Sequence, residues 1–171
     1  MNLIDQYNKM REESLKELST VHWIESHLSY MNMPIKLSTV QKYILEANSN
    51  LINSHLPRDV GKTFALCTLA IKRICANKES VLFVANTYSS LKTIKDMVIE
   101  ILRASNIHFV RASEYISIGS CRIYFYEARQ IVTHARGLDV SIVLLDEITV
   151  DQNIERLFCN TQFISVGSSR N

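Results

Sequence analysis

The sequence LPRDVGKT, at residues 56–63, decides which fold to expect, together with the later run SIVLLDE at residues 141–147. A Gly-Lys-Thr that opens a helix places backbone N–H groups and an ammonium where phosphate oxygens can bind. An uncharged strand that ends in two adjacent acids supplies a partner for Mg²⁺ and a possible base for a water molecule. The two motifs together predict that the chain binds a nucleoside triphosphate and hydrolyses it.

The sequence around these motifs alternates predicted strands and helices. Apolar runs predict strands, and apolar residues three or four apart predict helices. The strands are predicted over 51–56, 81–85, 107–110, 121–126, 142–145 and 163–166, and the helices over 63–76 and 90–104. This order is typical of an α/β domain with a mostly parallel central sheet flanked by helices, the architecture of P-loop NTPases.

The N-terminal part of the chain has a different pattern. Helical spacing of apolar residues runs from residue 4 to residue 30, and Pro34 breaks it, because the residue before a proline disfavours helix. Ser38 or Thr39 can cap a short helix that carries Val40, Tyr43, Ile44 and Ala47 on one face. We therefore predict a helical N-terminal extension over residues 1–33 and a P-loop ATPase domain over residues 34–171.

Composition excludes several classes of protein. The chain has 171 residues, of which 47% are hydrophobic, and this is enough for one domain with a substantial core. The sequence contains no apolar run of 18 residues and no signal-peptide pattern, so no membrane association is expected. The net charge of +2 does not by itself indicate a nucleic-acid surface. Four cysteines and five histidines lack metal-ligand spacing, so we expect buried thiols and no zinc site.

Residues 56–63 form the predicted phosphate loop, and several of them suit tasks in phosphate chemistry. Gly61 allows the backbone to approach a phosphate closely, Lys62 reaches the outer phosphates, and the Thr63 hydroxyl can ligate Mg²⁺. The common pattern has a glycine where this chain has Leu56. An exposed helix N-terminus is therefore the alternative interpretation. Arg58 can offset the charge that develops on a transferring phosphate, or it can be an ordinary exposed arginine.

Two adjacent acids, Asp146 and Glu147, end the uncharged run. They can be solvated acids at the end of a strand. However, in a parallel sheet both they and the phosphate loop emerge at the carboxyl edge, where such folds bind ligands. One acid can then hold magnesium while its neighbour polarises the attacking water.

The ordered set of motifs resembles the ATPase domain of large terminases, the DNA-packaging motors of tailed bacteriophages and related viruses, and specifically the T4-like type. The family's phosphate loop tolerates the loss of the first glycine and has an arginine ahead of Gly-Lys-Ser/Thr, which matches residues 58–63. Residues 37–41 fit the segment before the loop, and residues 136–140 fit the Arg-Gly segment before the acids. Residues 164–171 fit the coupling motif. The four matches occur in family order and span residues 34–171.

The resemblance implies a role for each candidate residue. Glu147 would be the catalytic base, Lys62 and Arg58 would act on the phosphates, and Gln41 would read adenine. Thr63 and Asp146 would hold Mg²⁺. The remaining nucleotide-binding residues would be Asp59, Val60 and Gly61, and the residues coupling hydrolysis to movement would be Gly167, Ser168, Ser169 and Asn171.

The resemblance also implies cofactors and partners. ATP and Mg²⁺ would be the cofactors, and double-stranded DNA, a portal and a small terminase subunit would be the partners of a homo-oligomeric ring. The motor would work in the host cytoplasm, transiently on the procapsid, without becoming part of the virion. Because the sequence ends at Asn171, we expect no nuclease domain and a truncated C-terminus of the ATPase domain.

Two alternatives remain open at this stage. A helicase-like, nucleic-acid-dependent P-loop ATPase shares the glutamine, Gly-Lys-Thr and Asp-Glu elements. The Ile148-Thr149 pair after the acids disfavours it, because the major helicase family has Ala-His or Ala-Asp there. The second alternative is a truncated nucleotide-binding module that does not turn over ATP.

Overall fold

The computed structural model describes residues 19–46, 54–56, 59, 61–148, 152–158 and 161–168. Its helices are α1 (Thr20–His27), α2 (Thr39–Glu46), α3 (Lys62–Ala76), α4 (Tyr88–Ala104), α5 (Ile131–His134) and α6 (Gln152–Leu157), with a 3₁₀ turn over Ala128–Gln130. Its strands are β1 (Ser29–Tyr30), β2 (Met33–Pro34), β3 (Ser54–Leu56), β4 (Val81–Ala85), β5 (Val110–Arg111), β6 (Tyr115–Ile118), β7 (Cys121–Glu127), β8 (Ile142–Asp146) and β9 (Gln162–Ser168).

Seven strands form one sheet in the order β3-β9-β8-β4-β7-β6-β5. The pairs from β3 to β7 are parallel, and β6 and β5 continue the sheet in antiparallel pairing. The predicted mostly parallel sheet is therefore confirmed. Along the chain, β3 precedes the phosphate loop and β8 ends in Asp146. In the sheet, β9 lies between these two strands and pairs with both.

Both faces of the central strands are buried, which explains their continuous apolar runs. Successive side chains of a strand point to opposite faces. In β4, Val81, Phe83 and Ala85 join a core with helices α1 to α4, whereas Leu82 and Val84 join a second core with α5 and Ile154 of α6. The domain therefore has three layers, with helices on both sides of the sheet.

The two longest helices follow the predicted periodicity. Helix α3 begins immediately after Gly61, and helix α4 begins after Thr87, whose hydroxyl accepts a hydrogen bond from the Ser90 N–H at 3.2 Å. Helix α4 starts two residues before the predicted start at residue 90. In the described part of the chain, no helix is long and apolar enough to cross a membrane.

Two local predictions are wrong. Helix α1 ends at His27, and residues 29–30 pair with residues 33–34 in a small hairpin, so the predicted helix does not reach residue 30. The turn of this hairpin has positive φ at Met31 and Asn32, which suits a tight two-residue connection. The predicted strand over 107–110 is reduced to the short antiparallel strand β5.

The N-terminal residues that the structure describes pack into the main core. Trp23, Ile24 and Leu28 are buried in the same apolar cluster as helix α3. The predicted boundary between residues 33 and 34 stays a prediction, and residues 1–18 and Ala47 lie outside the described residues.

Candidate nucleotide-binding site

The sheet brings the two motifs to one edge. At the carboxyl ends of β4, β8 and β9, Ala85, Asp146 and Val166 are at the same level, because Asp146 pairs with both of the others. The end of β3 is at the same edge, where Leu56 pairs with Ser168. Parallel sheets bind ligands at this edge. The edge therefore holds the parts of the candidate site.

Gly61 has the left-handed conformation that a tight loop requires, with φ 77° and ψ 32°, and it caps helix α3. The Gln41 side chain lies directly against it, and its amide donates a hydrogen bond to the Gly61 carbonyl at 3.3 Å. A Cβ atom at Gly61 would come within 2.3 Å of this amide nitrogen. Backbone conformation therefore favours glycine at this position, and a larger residue would also have to displace the Gln41 side chain.

Gln41 is also part of the cap of helix α2. Its side-chain carbonyl accepts a hydrogen bond from the Ser38 N–H at 2.8 Å, and the Ser38 hydroxyl accepts one from the Gln41 N–H at 3.3 Å. This reciprocal arrangement is a capping box. In this structure Gln41 thus connects the start of α2 to the phosphate loop, while its predicted contact with adenine stays a prediction.

Lys62 is the first residue of α3 and only 6% exposed. Its ammonium donates a hydrogen bond to the Leu56 carbonyl at 3.4 Å and lies 3.8 Å from a carboxylate oxygen of Glu147. The positive end of the helix and the ammonium together create a region that favours an anion. The Glu147 side chain is half-exposed, so this ion pair lies at the mouth of the site.

Thr63 and Asp146 meet across 83 residues of sequence. The Thr63 hydroxyl lies 3.1 Å from both carboxylate oxygens of Asp146 and donates to them. Burial raises the pKa of Asp146, the Thr63 hydrogen bond partly opposes this, and the nearby Glu147 charge raises the pKa further. A hydroxyl and a carboxylate are oxygen donors of the kind that Mg²⁺ prefers. The residues present therefore fit a magnesium ion, whose remaining ligands would be water and phosphate oxygens.

A cavity of about 530 Å³ joins these groups. It is lined by Asp59, Gly61, Lys62, Thr63, Phe64, Met97 and Glu147. Its volume is in the range of small-molecule sites. Asp59 is exposed and has φ 61°, so a second left-handed residue shapes the loop ahead of Gly61.

A second cavity, of about 580 Å³, also borders helix α4. The buried Lys95 in its wall donates hydrogen bonds to the Ala112 and Ser113 carbonyls, and Glu114 accepts one from the Tyr126 hydroxyl at 3.2 Å. This cavity is slightly larger than the first. However, its polar groups Lys95, Glu114 and Tyr126 form hydrogen bonds within the fold. The first cavity is therefore the stronger candidate, because the Lys62 ammonium, the start of helix α3 and the Glu147 carboxylate converge there.

The structure places most of the predicted residues, though not all. Gly61, Lys62, Thr63, Asp146 and Glu147 lie together, and Asp59 is at the rim. Gly167 and Ser168 lie at the end of β9, where they pair with β3. The predicted residues Arg58, Val60, Ser169 and Asn171 lie outside the described residues. In the described part of the chain, no three His, Cys, Asp or Glu side chains form a metal-binding group.

Two polar residues beside the acids were not among the residues predicted from the sequence. Asn86 follows the apolar strand β4 and donates a hydrogen bond to the Glu147 carbonyl at 3.3 Å. Ser165, a buried residue of β9, donates one to the Ile148 carbonyl at 2.6 Å. Asn86 could have been predicted from the sequence. It is a polar residue directly after the buried strand β4, just as the two acids stand at the end of the buried strand β8. Ser165 lies within residues 164–171, which fit the coupling motif, but a serine within an apolar strand does not indicate which group it binds.

Solved structures with the same fold include phage packaging proteins. The large terminase of bacteriophage HK97 has 15% identity and a TM-score of 0.70, and the alignment covers 90% of this chain and 38% of that one. The ATPase domain of the large terminase of Thermus phage P74-26 has 15% identity and a TM-score of 0.66, with coverages of 80% and 66%. The UvsW helicase of bacteriophage T4 has 15% identity and a TM-score of 0.65, with coverages of 90% and 61%. These likenesses establish the fold.

The chain therefore spans less than two thirds of the length of each of these structures. No curated protein matches it by sequence. The sequence profile of the family described as "Terminase large subunit, T4likevirus-type, N-terminal" matches residues 53–168, which is more than half of the chain and includes both the phosphate loop and the acids. The chain belongs to this family of large terminase subunits.

Proposed function

We propose that the chain binds ATP with Mg²⁺ and hydrolyses it to drive double-stranded DNA into a viral procapsid. The observation that carries the proposal is the meeting of Thr63 with Asp146 at 3.1 Å, beside Lys62 and Glu147 at 3.8 Å. Two sequence motifs that the family pairs are thus assembled around one cavity. Family membership supplies the process in which the hydrolysis would be used.

Each residue has a task that follows from its position. Lys62 and the N-terminal N–H groups of α3 would bind phosphate oxygens, because they concentrate positive charge at one point. Thr63 and Asp146 would hold Mg²⁺, which neutralises charge on the phosphates when it is bound. The Glu147 carboxylate would accept a proton from the attacking water, and its partial exposure leaves it accessible to that water.

The proposal extends to the assembly. Double-stranded DNA, a portal and a small terminase subunit would be the partners, and the chain would act in a homo-oligomeric ring. It would work in the host cytoplasm, on the procapsid only during packaging. These partners come from the family to which the chain belongs, whereas the site geometry supports the nucleotide chemistry alone.

The test is ATP turnover by the purified chain, followed as phosphate release with and without linear double-stranded DNA. Lys62→Ala should abolish turnover because it removes the ammonium. The fold should remain intact, because the hydrogen bond that the ammonium donates to the sheet is a long one, 3.4 Å, to Leu56 at the end of the edge strand β3. Glu147→Gln should keep nucleotide binding and lower turnover by at least about 100-fold. Lys36→Ala, which removes an exposed lysine ahead of α2, is the matched control and should change nothing.

Undiminished hydrolysis in Lys62→Ala would refute the assignment of the site. Binding of MgATP by the wild-type chain without turnover, in both the presence and the absence of DNA, would contradict the enzymatic part. It would instead support a nucleotide-binding module. Strand unwinding by the chain without a packaging partner would favour the helicase-like alternative.

A further inference from the structure

The backbone just after Asp146 has an unusual conformation. We call residues Asp146, Glu147 and Ile148 the acid turn. Glu147 has φ 57°, a left-handed value that side-chain-bearing residues seldom adopt and that is retained only where the surroundings fix it. Since Glu147 is also the candidate base, the groups that fix its backbone determine where its carboxylate lies.

Three hydrogen bonds from neighbouring strands fix the acid turn. The Glu147 N–H donates to the Val166 carbonyl of β9 at 2.8 Å. The Ser165 hydroxyl of β9 donates to the Ile148 carbonyl at 2.6 Å, and on the other side Asn86, next after β4, donates to the Glu147 carbonyl at 3.3 Å. Two consecutive carbonyls of the acid turn are thus bound by side chains from opposite flanking strands.

The burial of each side chain indicates how strongly its hydrogen bond restrains the acid turn. Ser165 is only 4% exposed, so its hydroxyl must find a partner inside the protein, and the Ile148 carbonyl provides it. Asn86 is exposed and its hydrogen bond competes with water. Ser165 should therefore restrain the acid turn more strongly than Asn86 does.

We propose that Asn86 and Ser165 are positioning residues, which hold the acid turn in the left-handed conformation that directs the Glu147 carboxylate toward Lys62 and the phosphate cavity. This proposal rests on the proposed function, because it assigns the two residues an effect on catalysis by Glu147. Neither residue lines the cavity, so neither should contribute to nucleotide affinity.

The test compares Ser165→Ala and Asn86→Ala with the wild-type chain in ATP turnover. Because a displaced base affects chemistry more than binding, kcat should fall by about 10- to 100-fold for Ser165→Ala and by less for Asn86→Ala. KM should change by less than about threefold, since the phosphate loop is untouched. Thr161→Val is the matched control, because it removes a hydroxyl that donates to the Val140 carbonyl at 3.2 Å at the opposite end of β9.

A purely structural role is distinguished by a double-mutant cycle with Glu147→Gln. If the two side chains act through Glu147, adding Ser165→Ala to Glu147→Gln should lower the remaining turnover by less than about twofold. An undiminished effect in the Glu147→Gln background, or an equal loss in Thr161→Val, would overturn the proposal.

Amide hydrogen exchange gives a second readout that does not depend on activity. The Glu147 N–H should exchange at least about tenfold faster in Ser165→Ala than in Thr161→Val, because the acid turn opens more often. An unchanged exchange rate would overturn the proposal. Absence of turnover in the wild-type chain would contradict the proposed function instead, and the exchange rates would still decide whether these side chains hold the turn.

Discussion

Replacement of Gly61 by alanine should destabilise the domain through two effects that a double-mutant cycle can separate. The first is backbone strain, because alanine would have to adopt φ 77°. The second is displacement of Gln41, whose amide nitrogen would lie 2.3 Å from the new Cβ. Since that nitrogen is at the far end of a flexible side chain, the contact should be relieved by moving Gln41 rather than the loop.

The magnitudes follow from the contacts. Strain at Gly61→Ala should cost about 1 kcal/mol. Loss of the Gln41 hydrogen bonds to the Gly61 carbonyl and the Ser38 N–H should cost a further ~1.5 kcal/mol. Gly61→Ala is therefore expected to cost about 2.5 kcal/mol, and Gln41→Ala about 1.5 kcal/mol. The double variant should also cost about 2.5 kcal/mol, because its Gln41 bonds can be lost only once.

The assay is urea unfolding at equilibrium, followed by the fluorescence of Trp23, the single tryptophan, which is 5% exposed. A coupling of about 1.5 kcal/mol between the two substitutions is expected. Gln130→Ala is the control, since Gln130 makes an equivalent capping box with Glu127 outside the site. Its cost should add to that of Gly61→Ala. Additive costs for Gly61→Ala and Gln41→Ala would refute the reasoning.

Three further predictions concern the candidate metal site and the thiol of Cys75. Thr63→Val should abolish the part of the ATP-induced rise in Tm that depends on Mg²⁺, while ATP alone still stabilises the variant; a Mg²⁺-dependent rise equal to that of the wild type would contradict the ligand assignment. Asp146→Asn should raise the Tm of the nucleotide-free chain at pH 7. Burial raises the pKa of Asp146, so the wild type loses stability as pH rises through the interval between its unfolded and folded pKa values, and the two proteins should converge below that interval. Burial also raises the pKa of Cys75 to about 11, so at pH 8 the native chain should react with iodoacetamide at Cys75 more slowly than glutathione does, as mass spectrometry can measure.

The central strands were predictable because burial on both faces leaves a simple signal. Strand β4 has the predicted bounds, and β8 extends the prediction by one residue, since their runs contain only apolar residues until the sheet ends. Strand β6 was missed because its partly exposed residues alternate weakly in polarity. Its turn was nevertheless detectable, because Gly119, with φ 60°, and Ser120 form a two-residue connection between β6 and β7.

The part of the site that could be predicted from the sequence is the part whose position the order of strands and helices determines. Thr63 and Asp146 meet because parallel strands and the following helix place both motifs at one edge, and this depends on topology alone. The contact of Gln41 with Gly61 depends on how α2 packs beside α3, which no local pattern encodes. The hydrogen bond of Ser165 depends in turn on the left-handed conformation of Glu147, which a sequence of two acids does not reveal.

Strand β9, which carries the predicted coupling residues Gly167 and Ser168, lies between the strands of the two nucleotide-binding motifs. Among the described strands, β9 alone pairs both with β3, which leads to the phosphate loop, and with β8, which carries Asp146. Its last residues, Gly167 and Ser168, pair with β3, whereas Ser165 and the Val166 carbonyl bind the acid turn. These four residues therefore connect the strand before the phosphate loop to the acid turn, in addition to the direct contacts of Lys62 with Glu147 and of Thr63 with Asp146. Under the proposed function, Ser165 would therefore contribute to coupling together with the predicted residues Gly167 and Ser168, because it binds the acid turn from the same strand.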